Sequence, residues 1–188
     1  MTKASIVGLC KQVRGVSVSR LARPIVVSVT TLTALFGLCA WAGLRLNSTG
    51  SLPLGIYIVS TAADANLVEF CPPEPYSQIS VVRGYRNPGI CPDGDDPLLK
   101  PVIAKPGDTV VFSELGLQIN GVLLRNTAPR SRDSWGRPLP HFPFGTYQAR
   151  SNSLWVASSY NSLSFDSRYF GPIPTGAIRN RLKALLTL

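Results

Sequence analysis

The chain has 188 residues, enough for one domain plus an anchor, and 45% of them are hydrophobic, with a mean hydropathy of +0.15. The net charge of +9 is uneven: five basic and no acidic residues stand in the first 24, so the rest carries only +4, and it lacks the basic stripe with interleaved aromatics that a nucleic-acid surface needs. One histidine and no Cys-x-x-Cys give a zinc site little support, so no metal and no cofactor is expected.

Residues 1–24 form a basic tail with Lys3, Lys11, Arg14, Arg20 and Arg23. Residues 25–44 carry no charge and have about the length that spans a bilayer as a helix. Thr30, Thr31 and Thr33 are tolerable there because a hydroxyl can bond back to the helix backbone. Trp41, near the far end, suits the membrane–water interface. By the positive-inside rule the tail stays in the cytoplasm and residues 45–188 are exported. The expected arrangement is therefore a membrane crossed once, with residues 45–188 as an exported domain; in a bacterium that is the inner membrane, with the domain periplasmic. Ala40-Trp41-Ala42 loosely fits a signal-peptide cleavage site. The length of the run, and the tryptophan inside that site, favour an uncleaved anchor.

The segment Asn47-Ser48-Thr49-Gly50-Ser51-Leu52-Pro53 is small, polar and turn-rich. Gly50 permits close backbone approach and Pro53 fixes φ, so Ser51 sits in a tight stretch. Read alone, the stretch is a linker, in which Ser, Gly and Pro are common; read as a nucleophile loop, it needs a base from elsewhere. Beyond it the chain reads mostly as short strands. These are Ile56–Val59, Leu67–Cys71, a resumption at Gln78–Val82, and Leu98–Ala104, which carries Leu98, Lys100, Val102 and Ala104 on one face. Thr109–Phe112 follows, then a hairpin about Asn120-Gly121, an irregular insertion Thr127–Phe144, and strands at Thr146–Ala149 and Ser153–Ala157. Leu182–Leu188 reads as a strand or a short helix. Short strands with many turns indicate a mainly β domain, a sandwich or partly open barrel.

Cys71 and Cys91 are the two cysteines of the exported part, where an oxidising compartment allows a disulfide. A bridge would close a loop of about 20 residues and contribute roughly 3 kcal/mol in the chain-entropy account. The alternative is two buried thiols. Cys10 and Cys39 fall in the tail and the span.

A histidine-based triad would have to use His141, which lies between two prolines in the irregular insertion with nothing to mark it as a base. Serine is also activated by a lysine whose pKa burial has lowered. Lys100 alternates with apolar residues and is that candidate, although most strand lysines reach out to water.

Three segments taken together carry a resemblance. Asn47-x-Thr49-x-Ser51-x-Pro53-x-Gly55-x-Tyr57 is followed by Leu98-Leu99-Lys100-x-Val102-x-Ala104-x-Pro106-Gly107-Asp108. Later comes Ser164-Phe165-Asp166-Ser167-Arg168-Tyr169-Phe170-Gly171-Pro172. Their order and spacing resemble the signal-peptidase superfamily of Ser-Lys proteases, and within it the TraF-type pilin-maturation peptidases of conjugative transfer. Ser51-Leu52-Pro53 and Ser158-Ser159-Tyr160-Asn161 depart from the housekeeping enzymes toward that branch, and Pro101 departs from a usual Lys-Arg.

The resemblance implies a signal-peptidase-like β catalytic domain after one transmembrane helix. It implies Ser51 as nucleophile and Lys100 as base, with an oxyanion hole from the Ser51 N–H and the Thr49 hydroxyl. Asp166 and Arg168 would brace the site, although read alone they are a surface ion pair worth little. The implied substrate is a pilin precursor or other exported preprotein at the inner membrane, cut by hydrolysis or joined into a ring. A housekeeping-like signal peptidase, an inactive periplasmic adaptor of a secretion assembly, and a lipid-binding module using the basic loop Arg125–Arg137 are the alternatives.

Overall fold

A computed structural model describes residues 18–188, in an N-terminal unit that ends at Ala42 and a compact unit Gly43–Leu188. Cys10, Lys3, Lys11 and Arg14 lie outside the described residues.

Helix α1 spans Val18–Trp41, and its stretch Ala22–Trp41 is long and apolar enough to cross a membrane by length and composition. The hydroxyls of Thr30, Thr31 and Thr33 each donate to a carbonyl one turn back, at 2.8 Å, so none leaves a bare polar group on the apolar helix. The helix stops short of the boundary expected at Leu44. Gly43 takes φ +80°, a left-handed conformation that favours glycine, and Leu44–Asn47 already form strand β1.

In the compact unit, β1 is followed by β2 (Gly55–Val59), β3 (Leu67–Phe70), helix α2 (Tyr76–Val82), β4 (Leu98–Ala104), β5 (Thr109–Ser113), β6 (Gly116–Ile119) and β7 (Val122–Leu123). Then come β8 (Gly145–Gln148), β9 (Ser153–Val156), helix α3 (Ser167–Phe170), β10 (Ile173–Pro174), a 3-10 turn at Thr175–Ala177, and β11 (Ile178–Thr187). The strands build a seven-stranded antiparallel sheet in the order β1-β2-β11-β3-β4-β9-β10 and a four-stranded one in the order β7-β6-β5-β8. The mainly β expectation is borne out.

Strand β9 joins the two layers. Its alternate residues Leu154 and Val156 enter the core cluster of the large sheet with Val68, Phe70, Phe165 and Tyr169. Trp155, between them, enters the cluster shared with the small sheet, with Val110, Phe112 and Leu117. A strand buried on both faces cannot show the polar alternation of a half-exposed one, hence its apolar run.

Three local expectations are corrected. Gln78–Val82 is not a strand: the prolines at 72, 73 and 75 stop β3, and Tyr76–Val82 winds into a helix that buries Ser77 and Ser80. Ala104 does not share the Lys100 face. A register irregularity between Val102 and Ala104 turns it into the cluster of the small sheet. The last apolar run is a strand and starts earlier, at Ile178. Arg179, Asn180, Arg181 and Lys183 hide that start in the sequence, because on an inserted strand only the inward positions need be apolar.

Candidate active site

Lys100 lies in the middle of β4, an interior strand held between β3 and β9, with Val68 as its partner across the ladder. Leu98 and Val102, two residues to either side, pack on the large core cluster, so the period of two sends the Lys100 side chain the same way. Only 2% of the residue is exposed. Its Nζ lies 2.7 Å from Ser51 Oγ and 2.8 Å from Ser164 Oγ. Burial lowers the amine from 10.5 to about 8; the Asp166 carboxylate opposes that shift and the Arg168 guanidinium adds to it.

The loop that carries Ser51 connects β1 to β2 and is tied from both sides. Asn47, the last residue of β1, donates from Nδ2 to the carbonyls of Thr49, Leu52 and Pro53 at 3.1–3.2 Å. Its Oδ1 accepts from the Thr49 hydroxyl at 2.8 Å and from the Thr49 N–H at 3.3 Å. Leu52 and Tyr57 anchor the loop in a small core cluster, and the Tyr57 hydroxyl donates to the Pro53 carbonyl at 2.7 Å. From the other side the Ser158 hydroxyl donates to the Ser51 carbonyl, and Asn161 Nδ2 donates to the Gly50 carbonyl at 3.0 Å. Pinning these carbonyls fixes where the Ser51 side chain points.

Asp166 and Arg168 are fully buried, not a surface pair. The guanidinium meets the carboxylate with two parallel contacts, 2.8 Å and 2.9 Å. The remaining N–H groups reach the carbonyls of Asn126, Ser162 and Ser164. Asp166 also accepts from the N–H of Ser158 at 3.1 Å and caps α3 through the N–H of Arg168. The pair thus joins three segments: the Ser164 segment beside Lys100, the Ser158 segment that holds the Ser51 loop, and the start of the 127–144 insertion.

Ser51 and Lys100 open into a cleft of about 540 Å³ that Thr49 also lines. Cys71 and Cys91 are bridged, with Cα atoms 5.8 Å apart, and tie the end of β3 to the loop before β4. In that loop Arg86 Nη2 pairs with Asp93 Oδ2 at 2.5 Å and Arg86 Nη1 reaches the Asp96 carbonyl at 3.0 Å. His141 does not line the cleft; it stacks on Phe144 with ring centres 4.1 Å apart. Among the described residues no three His, Cys, Asp or Glu side chains cluster as metal ligands do.

Of the residues singled out from sequence, Ser51, Lys100, Thr49, Asp166 and Arg168 converge on one place. The Thr49 hydroxyl, however, is engaged with Asn47. Ser164, Ser158, Asn161 and Asn47 complete the site without having been assigned a part. Ser164 and Asn47 lie inside the quoted motifs, two residues before Asp166 and four before Ser51. Ser158 and Asn161 lie in the segment quoted as a departure from the housekeeping enzymes, but what they hold was not legible there, since they act on backbone carbonyls more than 100 positions away.

A serine hydroxyl within hydrogen-bonding distance of a desolvated amine is an arrangement for acyl transfer. The signal peptidase family, peptidase S26, matches residues 25–187. Plasmid transfer protein TraF of Escherichia coli is 36% identical over 153 residues, 78% of this chain and 84% of that one. The probable conjugal transfer protein TraF of Sinorhizobium fredii is 36% identical over 179 residues, 89% and 92% of the two chains. Conjugal transfer protein TraF of Agrobacterium fabrum is 33% identical over 168 residues, 87% and 90%. The resemblance carried by the three motifs is borne out by a family match that runs through all of them and by relatives 33–36% identical over most of the chain, and on that extent of likeness this chain belongs to the signal peptidase family, peptidase S26.

Proposed function

We propose that this protein is a membrane-anchored serine endopeptidase that uses a Ser51–Lys100 dyad to process a pilin precursor or other exported preprotein in conjugative transfer. One observation carries the reading: an amine only 2% exposed stands 2.7 Å from Ser51 Oγ. The relatives' names supply conjugative transfer as the setting. The charge of residues 1–24 and the apolar helix support a cytoplasmic tail, a single span and a periplasmic catalytic domain.

In this mechanism neutral Lys100 Nζ takes the proton of Ser51 as Oγ attacks the scissile carbonyl. The oxyanion is received by the Ser51 N–H and by the Thr49 hydroxyl, which turns from Asn47 to do so. As the C–N bond breaks, the Lys100 ammonium returns the proton to the leaving amine and an ester on Ser51 remains. Ser164 holds the amine in line between these two transfers. Water then frees the acid, or an amine of the same substrate chain closes a ring.

The test is incubation of the full-length protein in detergent with the pilin precursor of its own transfer system, read by intact mass. Hydrolysis gives fragments whose masses sum to the precursor plus one water; ring closure gives a released fragment and a product lighter by that water. Ser51→Ala and Lys100→Arg should leave the precursor whole. A precursor left uncut by the unaltered protein favours the adaptor reading instead.

A further inference from the structure

The irregular insertion 127–144 forms one rim of the cleft, and its tip is built rather than slack. Asp133, with a side chain only 4% exposed, accepts from the Tyr85 hydroxyl at 2.7 Å, from Arg137 Nε at 2.7 Å, and from the N–H groups of Trp135 and Arg137 at 3.0 and 2.9 Å. Arg137 also donates to the Arg83 carbonyl, and Arg83 to the Pro138 carbonyl, which ties the tip to the segment after α2. Yet the residue this scaffold presents, Trp135, is 80% exposed, and it lines the same cleft as Ser51 and Lys100.

Beside it stand two cations without a carboxylate partner. Of the charged side chains in the cleft, Arg45 pairs with Glu69, Arg86 with Asp93, and Asp133 with Arg83 and Arg137. Among the described residues Arg130 and Arg132 form no ion pair, and Arg132 bonds only the Gly136 carbonyl, at 2.7 Å. Among the described residues Asp96 is the one carboxylate of the lining that forms no ion pair. An exposed indole on a pinned backbone, lining the same cleft as two guanidiniums that have no carboxylate partner among the described residues, suits a chain that offers an apolar side chain and an acidic one. We propose that Arg130, Arg132 and Trp135 form a specificity subsite for an acidic residue, with an apolar neighbour, of the polypeptide being processed. This rests on the peptidase reading, because a substrate that reaches Ser51 must lie in the cleft these residues line. An anionic lipid surface would be met by the same charges, but it has no reason to enter a cleft shared with Ser51.

The test uses the full-length protein in detergent and synthetic peptides with a small-residue cleavage core, each carrying Glu, Gln or Lys at one flanking position. For binding, the Ser51→Ala protein is titrated and tryptophan fluorescence is followed, with Trp135→Phe in the same background to isolate the Trp135 signal from buried Trp155 and from Trp41. Glu peptides at one position should shift the Trp135 emission and bind about tenfold more tightly than their Lys counterparts, and Arg130→Gln/Arg132→Gln should erase that preference. For cleavage, the same pair of substitutions should raise KM about tenfold for the Glu peptide while changing kcat less than twofold. Arg132→Lys, which keeps the charge, should restore most of the loss.

Equal binding of Glu, Gln and Lys peptides, with cleavage intact, overturns the subsite and leaves the peptidase standing. Charge-selective binding without cleavage by the unaltered protein shows a site for acidic peptides but fails the peptidase, and so overturns its role as a specificity subsite. A Trp135 shift with phosphatidylglycerol vesicles and none with any peptide overturns the subsite in favour of a lipid contact.

Discussion

Turnover by this protein should follow the charge on one amine. With Lys100 lowered to about 8, neutral base is scarce at about pH 7 and abundant at about pH 9, so kcat/KM should climb through that interval. A profile that rises only near the ordinary lysine value of about 10.4 would contradict the assignment. Stability runs on the same group with a definite sign. The folded pKa lies below the unfolded 10.5, so below about pH 8 the folded state bears the full cost of a buried ammonium, and that cost is relieved as pH rises from about 8 to 10.5. The gap corresponds to roughly 3 kcal/mol. Lys100→Met, neutral and of similar length, should therefore raise Tm at pH 7 by about 6–12 °C while abolishing cleavage, and the gain should fade above pH 10. Ser164 accepts from the ammonium, so Ser164→Ala should move the rising limb of the pH profile to lower pH and reduce kcat on the order of tenfold, through loss of alignment. His141→Ala should leave turnover unchanged, since His141 stacks on Phe144 away from the cleft.

The elements around the dyad are held by pairs that span long sequence distances. Removing one member of a fully buried ion pair strands the other, so Arg168→Ala should cost about 3–5 kcal/mol, read by denaturant or thermal melting. A matched Arg168→Met/Asp166→Leu replacement leaves no charge alone, but it still strips partners from the Ser158 N–H and from the carbonyls of Asn126, Ser162 and Ser164, so it should remain destabilising. Losing the Cys71–Cys91 bridge frees a loop of 20 residues and should cost roughly 3 kcal/mol. Cys71→Ser should lower Tm without moving the pH profile, since the bridge ties down the loop leading into β4 and not the amine itself. Strand β4 was legible as an alternating run, β5 from the turn at Pro106-Gly107-Asp108 before it, and β6 from the hairpin signal Asn120-Gly121. Helix α2 was not: its seven residues are too few for a helical period to stand out, and the prolines ahead of it suit a broken strand equally well. The early part of β11 was not legible either, because its polar residues take their meaning from β2 and β3 on either side.

At the scale of the whole molecule, the asymmetry of charge about the apolar helix sets the expected orientation. Protease added to spheroplasts should digest residues 45–188 and spare the basic tail; clipping of a short N-terminal tail alone would reverse the topology. The sequence by itself determined the parts that depend on neighbours along the chain: the apolar run, the turn-rich seat of Ser51, the period of two around Lys100, and the Asp166-Ser167-Arg168 step. Only the tertiary structure decided which of these are buried: Lys100 is 2% exposed, and Asp166 and Arg168 are fully buried. Leu98 and Val102 aim the Lys100 side chain inward, but they do not by themselves bury it. The strands on either side, β3 and β9, bury it, and its two hydrogen-bond acceptors come from far along the chain, Ser51 from 49 positions earlier and Ser164 from 64 positions later. The same holds for Ser158 and Asn161, which act on the backbone of a loop more than 100 residues away. Short-range patterns record local conformation, whereas desolvation and carbonyl pinning are properties of chain segments that meet only when the domain folds.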